Sequence, residues 1–182
     1  MKWMIASDIH GSAYFCRLLL QRFEREQADR LLLLGDLLYH GPRNDLPRDY
    51  DTRETARLLN TYRDRIVAVR GNCDAQVDQA VLDFPMLAEY AIVELGGNIA
   101  FASHGDKYNA QCLPQEAAAG GILLYGHTHV PLCKNAGGTL CFNPGSVSIP
   151  KEASPHSYMI CDGGVFTWYD INGEAYMSYP DA

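Results

Sequence analysis

A chain of 182 residues, 47% hydrophobic and 20% charged, suits one globular domain spanning 1–182, with a substantial core and little room for a second. Its net charge of −7 lacks the basic stripe that a long nucleic-acid backbone requires, whereas a small anion stays compatible because bound cations reverse the local field. No apolar run exceeds four residues and no CxxC occurs among the six cysteines, which argues against a membrane span, an export signal, a disulfide framework and a thiolate zinc site.

The expected location is therefore cytoplasmic, with no membrane partner. A homo-oligomer is compatible with everything so far. Trp3 to Ala6 is a short buried run that ends in Asp8-Ile9-His10. Ser12 is placed to cap a helix on which Phe15, Leu18, Leu19 and Phe23 share a face. Leu31 to Leu34 is the second buried strand and leads to Asp36. The following stretch, His40 to Tyr50, is rich in Pro, Arg, Asn and Asp and reads as a loop. Asp51 and Glu54 are spaced as a capping box for a helix reaching about Tyr62, and Ile66 to Val69 is a third strand. This alternation implies a parallel sheet with right-handed crossovers.

Beyond Pro85 the chain turns strand-rich. Ala91 to Leu95 and Ile99 to Ser103 flank a hairpin at Gly96-Gly97-Asn98. Ile122 to Tyr125, Leu140 to Phe142, Tyr158 to Cys161 and Val165 to Tyr169 follow, with Gly163-Gly164 joining the last two. Two sheets packed face to face with helices outside would use all of these elements. The expected fold is α/β.

Five of the strand-like runs end on metal-ligating residue types beside glycine: Asp8-Ile9-His10, Gly35-Asp36, Gly71-Asn72-Cys73-Asp74, His104-Gly105-Asp106 and Gly126-His127-Thr128-His129. Strand tips are where an α/β protein gathers side chains from distant segments. Any one of these residues alone reads as a turn or cap; together they read as a metal centre. Hydrolysing a phosphate ester needs a strong nucleophile at neutral pH and neutralisation of charge on the transferring group. Two divalent ions ~3.5–4 Å apart supply both. A ligand mix of carboxylate, imidazole and amide oxygen without thiolate fits Mn²⁺ first, with Zn²⁺, Fe²⁺ and Ni²⁺ as alternatives, and disfavours Ca²⁺.

The five segments resemble, in order, the D-x-H, G-D, G-N-H-[D/E], H-G and G-H-x-H signature of the calcineurin-like metallophosphoesterases. Asn143-Pro144-Gly145-Ser146 extends the likeness to near residue 150. The chain looks most like the family's small bacterial phosphodiesterases. The resemblance implies a four-layer α/β/β/α sandwich of two mixed β-sheets. It implies one metal on Asp8, His10 and His129, a second on Asn72, His104 and His127, and Asp36 bridging both. It further implies in-line attack of a metal-bridging hydroxide on a small phosphodiester, with Asp36, Asn72, Cys73 and His104 as the catalytic set.

Arg43 and His40, with Cys73, are the substrate-binding expectation, since Arg43 suits a bidentate phosphate contact; a loop Arg is otherwise simply solvated. Asp106 is expected either to orient His104 or to be a plain turn residue. Asp74 reads as a cap for the segment after it, although the resemblance implies that this acid can instead orient the residue at Cys73; His156 reads as surface, and the cysteines other than Cys73 as small core residues. Cys73 departs from the family pattern, in which a His there sits near the leaving group. A neutral thiol is a poorer donor without charge, which favours diesters over alkyl monoesters. The other readings are a phosphomonoesterase, a dinucleoside polyphosphate hydrolase, or a protein-interaction module on the same fold.

Overall fold

The computed structural model describes residues 1–117 and 120–180. Strand β1 (Trp3–Ala6) is followed by α1 (Ala13–Arg25), β2 (Arg30–Leu33), α2 (Thr52–Asn60) and β3 (Ile66–Ala68). The β1–β2 and β2–β3 pairs are parallel. Ser12 caps α1 by accepting the Phe15 N–H. Asp51 caps α2 through the Glu54 N–H at 2.9 Å, but only half of the expected capping box forms. The Glu54 carboxylate turns to Arg57, and the Asp51 N–H bonds to the Gly11 carbonyl. The helix stops at Asn60, short of Tyr62, and a 3-10 turn at Arg63–Arg65 leads into β3.

The second half adds β4 (Tyr90–Leu95), β5 (Asn98–Ser103), β6 (Ile122–Leu124), β7 (Leu132–Ala136), β8 (Thr139–Asn143), β9 (Ser157–Asp162), β10 (Val165–Asp170) and β11 (Ala175–Tyr179). They complete a six-stranded sheet in the order β11-β10-β9-β1-β2-β3 and a five-stranded sheet in the order β4-β5-β6-β8-β7. Both sheets are mixed: β9 runs antiparallel to β1, while β5, β6 and β8 are mutually parallel. The two-residue loop Gly96-Gly97, with Leu95 paired to Asn98, has φ of 60° and 90°. That conformation closes a tight hairpin at no steric cost only for glycine.

The alternating faces of the strands divide the core in three. Met4, Leu31, Leu33 and Ile66 face Cys16, Leu19, Phe23 and Leu59 of the two helices. Ile5, Leu32 and Leu34 turn the other way and meet Val93, Ala102, Leu124 and Phe142 of the second sheet, with Trp168 buried among them. The Trp168 indole N–H donates to the Asn143 carbonyl at 2.7 Å, a hydrogen bond that joins β10 to β8 across the sandwich.

On the far face of the second sheet, Phe101, Leu123, Tyr125 and Cys141 are covered by Tyr108, Ala110, Leu113 and Ala117. Among the described residues this outer layer is irregular chain with one 3-10 turn, Gln115–Ala117, where an α-helix was expected. The sandwich itself stands. Cys16, Cys141 and Cys161 are buried as anticipated, whereas Cys112 is exposed. Among the described residues no helix is long and apolar enough to cross a membrane.

Candidate metal centre

The parallel strands β1, β2, β3, β5 and β6 all end at one edge of the sandwich, and the five ligand-bearing segments follow them directly. Loop pairing fixes their relative height: the Asp8 N–H donates to the Gly35 carbonyl at 3.1 Å and the Gly126 N–H to the His104 carbonyl at 2.7 Å. The Asn143 amide donates to the Gly126 carbonyl at 2.7 Å, and Ser146 and Ser148 both donate to the Asp8 carbonyl. The Asn-Pro-Gly-Ser loop therefore holds the Asp8 and His127–His129 loops in place. A Cβ on Gly126 would lie 1.9 Å from Ser7 Oγ and 2.7 Å from Asp8 Oδ2, so the close approach of these two loops demands glycine there. Asp8, His10, Asp36, His127 and His129 all have left-handed backbone, with φ between 49° and 65°.

Three imidazoles are oriented in the same way. His10 Nδ1 donates to the Tyr39 carbonyl at 2.7 Å, His104 Nδ1 to the Leu34 carbonyl at 2.8 Å and His129 Nδ1 to the Ile149 carbonyl at 2.7 Å. A carbonyl can only accept, so each Nδ1 carries the hydrogen and each Nε2 is left with a lone pair aimed into the site. His10 Nε2 and His129 Nε2 are 3.3 Å apart, and Asp8 Oδ1 stands 3.3 Å from His129 Nε2 and 3.5 Å from His10 Nε2. His104 Nε2 lies 3.0 Å from Asn72 Oδ1, 3.2 Å from His127 Nδ1 and 3.3 Å from Asp36 Oδ2. Asp36 Oδ2 is also 3.7 Å from His10 Nε2, so one oxygen faces both groups.

Lone pairs that face lone pairs at such distances repel unless positive charge sits between them. Asp8 Oδ1, buried without a hydrogen-bond partner, makes the same point, since an orphan carboxylate oxygen is costly. The residues fit divalent cations. Among the described residues three sets of ligand atoms each gather within 4.8 Å: Asp8, His10 and His129 in one, Asp8, Asp36 and His104 in another, and His10, Asp36 and Cys73 in the third.

When no cation is present, protons carry the compensating charge. Burial opposes charging of His104, but the Asp36 carboxylate against it and the Asp8 charge raise it to about 9. His10 is raised in the same way by Asp8, also against burial. Burial likewise opposes ionisation of Asp8, yet His10 and His129 hold it well below the usual carboxylate range; His104 does the same for Asp36. Burial, with His104 nearby, lowers His127. An imidazole binds metal only when deprotonated, so metal uptake should release the His104 proton at all pH values below about 9. Affinity should then rise with pH and level off above that point. Calorimetric titrations of chelator-treated protein in buffers of differing ionisation enthalpy read this proton; an affinity independent of pH would contradict the assignment.

Asp74 plays a different part from the one read in the sequence. Its carboxylate accepts the N–H groups of Asp36, Leu37 and Gly71, each at 2.8 Å, and so folds the Asp36 loop; Asp78, not Asp74, caps the next segment through the Ala75 N–H. Burial pushes the Asp74 carboxyl up, opposed by the same three donors. Asp106 does not orient His104, whose Nδ1 is taken by Leu34. His156 is half-buried instead of on the surface, stacked on Phe15 at 3.9 Å.

The candidate ligands Asp36, Asn72, His127 and His129 share a cavity of ≈ 640 Å³ with Tyr39, Arg43, Asn44, Cys73 and Lys151. Arg43 is brought to it as expected. His40 is not among its lining residues: its ring packs edge-on between Tyr39 and Tyr50. Lys151 was not anticipated, because it follows the Asn-Pro-Gly-Ser loop with no motif of its own; its N–H donates to the His129 carbonyl, which sets it beside the centre. Cys73 also lines this cavity, and its N–H donates to Asp36 Oδ1 at 2.8 Å. Burial, with Asp36 next to it, pushes the Cys73 thiol up to about 12, so it is neutral at physiological pH.

The chain is 42% identical over 175 residues to the phosphodiesterase YfcE of Escherichia coli K12, covering 96% of this chain and 95% of that protein. The solved structure of YfcE, a phosphoesterase from E. coli, matches with a TM-score of 0.93 at 40% identity over 98% of each chain. Vacuolar protein sorting 29 from Cryptosporidium parvum shares the fold, with a TM-score of 0.66 at 19% identity over 98% of this chain and 97% of that one. The model of the calcineurin-like phosphoesterase superfamily domain matches residues 1–163, and the chain belongs to that superfamily.

Proposed function

We propose that the protein is a two-metal phosphodiesterase acting on small substrates. The observation that carries this reading is the convergence of imidazole and carboxylate groups from five strand ends, held in register by backbone carbonyls, with Asp8 Oδ1 buried without a hydrogen-bond partner. In this reading Asp8, His10 and His129 hold one divalent ion, Asn72, His104 and His127 hold the other, and Asp36 Oδ2 is shared. Mn²⁺ is the first expectation for both. Bound there, two such ions acidify a water nucleophile and neutralise phosphoryl oxygens.

The chain's own groups account for the rest. Arg43 and Lys151, exposed cations on the cavity wall, are placed to hold the non-bridging oxygens of a substrate phosphate. Asn72 keeps its amide oxygen toward the second site, with its Nδ2 toward Cys73 Sγ at 3.3 Å. Cys73, neutral and a weak donor, offers little acid help to a departing alkoxide. A diester, with one negative charge, suits that environment better than an alkyl monoester, in keeping with the name of the E. coli relative.

The test is an assay of chelator-treated protein against 4-nitrophenyl diesters and the matching monoester, with Mn²⁺, Zn²⁺ and Mg²⁺ titrated back. Diester turnover should return with Mn²⁺ and saturate at two equivalents per chain. Recovery at one equivalent would remove the shared-ligand arrangement, and a preference for the monoester would remove the diester assignment.

A further inference from the structure

Beside the metal cavity lies a second one of ≈ 780 Å³, within the ordinary range for small-molecule sites. Helix α2 forms one wall through Thr52 and Ala56, and the 3-10 turn Gln76–Ala80 with Val81 forms the other. Tyr39 and Cys73 line both cavities, so the two adjoin at those side chains. Their chemistries differ sharply. The metal cavity is lined by acids, imidazoles, amides and cations; this cleft is lined chiefly by Leu38, Tyr39, Tyr50, Ala56, Val77 and Val81.

Val77 is 72% exposed and Val81 51%, although each is a β-branched apolar side chain facing a concave surface. The aromatic wall is braced: His40 meets Tyr39 edge-on at 4.7 Å and Tyr50 at 5.2 Å, which holds the two rings as a pair. At the rim stand Arg53 and Arg57. Arg57 is tied to Glu54, whereas Arg53, like Arg43 and Lys151 in the neighbouring cavity, has no ion-pair partner among the described residues. A ligand that is anionic at one end and apolar and flat at the other would match this succession of surfaces.

We propose that the cleft receives a planar aromatic group esterified to the phosphate held at the metal centre. The proposal rests on the phosphodiesterase reading and adds a substrate class to it, namely diesters with at least one aromatic ester group. It also gives His40 a role, as a positioning residue that spaces Tyr39 and Tyr50 and makes no contact with phosphate.

The probes are methylphosphonate and benzylphosphonate, which present the same anion to the metals and differ by one ring. In protein loaded with diamagnetic Zn²⁺, benzylphosphonate should bind at least ~10-fold tighter by calorimetry, the gain expected from burying an aromatic face. Removing the apolar wall with Val77→Ser and Val81→Ser should bring that ratio to within ~3-fold. Nuclear Overhauser contacts between the benzyl ring and the Val77 and Val81 methyl groups of the parent protein give a readout that needs no variant. A parent ratio near one, or a ratio unchanged in the variant without those contacts, overturns the assignment. Methylphosphonate binding without a benzyl gain removes this proposal alone. Failure of both phosphonates to bind would remove the metal-centre reading and this proposal with it.

Discussion

Asp36→Asn should lower turnover at least ~100-fold while leaving the fold intact, because charge neutralisation and nucleophile activation fail together. Asn tolerates the left-handed backbone that residue 36 adopts, with φ of 55°, and its amide oxygen can still accept the Cys73 N–H in place of Asp36 Oδ1. The amide nitrogen then replaces Oδ2, the oxygen that faces His104 Nε2 at 3.3 Å and His10 Nε2 at 3.7 Å. An N–H donor at that position hydrogen-bonds to imidazole lone pairs and cannot be shared between two cations. Metal content should fall below two per chain, and the metal-free protein should melt somewhat lower because buried His104 loses the carboxylate that holds its charge. A folded variant with two bound metals and parental turnover would eliminate Asp36 as the bridge.

Asp74→Ala should harm both stability and activity, although Asp74 is not among the candidate metal ligands. Three buried N–H groups, those of Asp36, Leu37 and Gly71, lose their acceptor at once. At roughly 1–3 kcal/mol for each unsatisfied donor, the loss is on the order of 3 kcal/mol or more, a large share of a typical domain's stability. Water entering the gap would recover part of it. Because the freed loop carries Asp36, the metals should also bind more weakly, and activity should fall by ~10-fold or more even where the variant is folded. Asp74→Asn keeps one acceptor oxygen and should lie between parent and alanine variant in denaturant midpoint. If Asp74→Ala matches the parent in both melting and metal affinity, the carboxylate does not organise this loop.

The convergence of the candidate ligands was legible in the sequence because five short motifs carry metal-ligating residue types at strand ends. The sequence could not reveal what aims them. The carbonyls of Leu34, Tyr39 and Ile149 set three imidazoles, and a backbone oxygen leaves no trace in residue identity. For the same reason Asp106, the only acid beside His104 in sequence, looked like its partner. Lys151 escaped notice because its position depends on a loop–loop contact with His129.

Nine strands were readable as apolar runs, and the two overlooked ones, β7 and β11, are edge strands without a fully buried face. Leu132-Cys133-Lys134-Asn135-Ala136 has no continuous apolar run, as expected of a strand with one open side. A signal for β7 was nonetheless present. Gly137-Gly138 has the same spacing and the same positive φ values as the two Gly-Gly turns that were read as hairpins.

The left-handed backbone at Asp8, His10, Asp36, His127 and His129 sets folding and function against each other. Such a conformation costs an L-residue roughly 1–2 kcal/mol, less for Asp, so together these positions hold several kcal/mol of backbone strain. Glycine at any of them would relieve its share and lose a candidate ligand. Selection for a sturdier metal-free protein would therefore dismantle the centre one residue at a time. On the proposed function, cations that bind the folded chain and not the unfolded one would offset that strain.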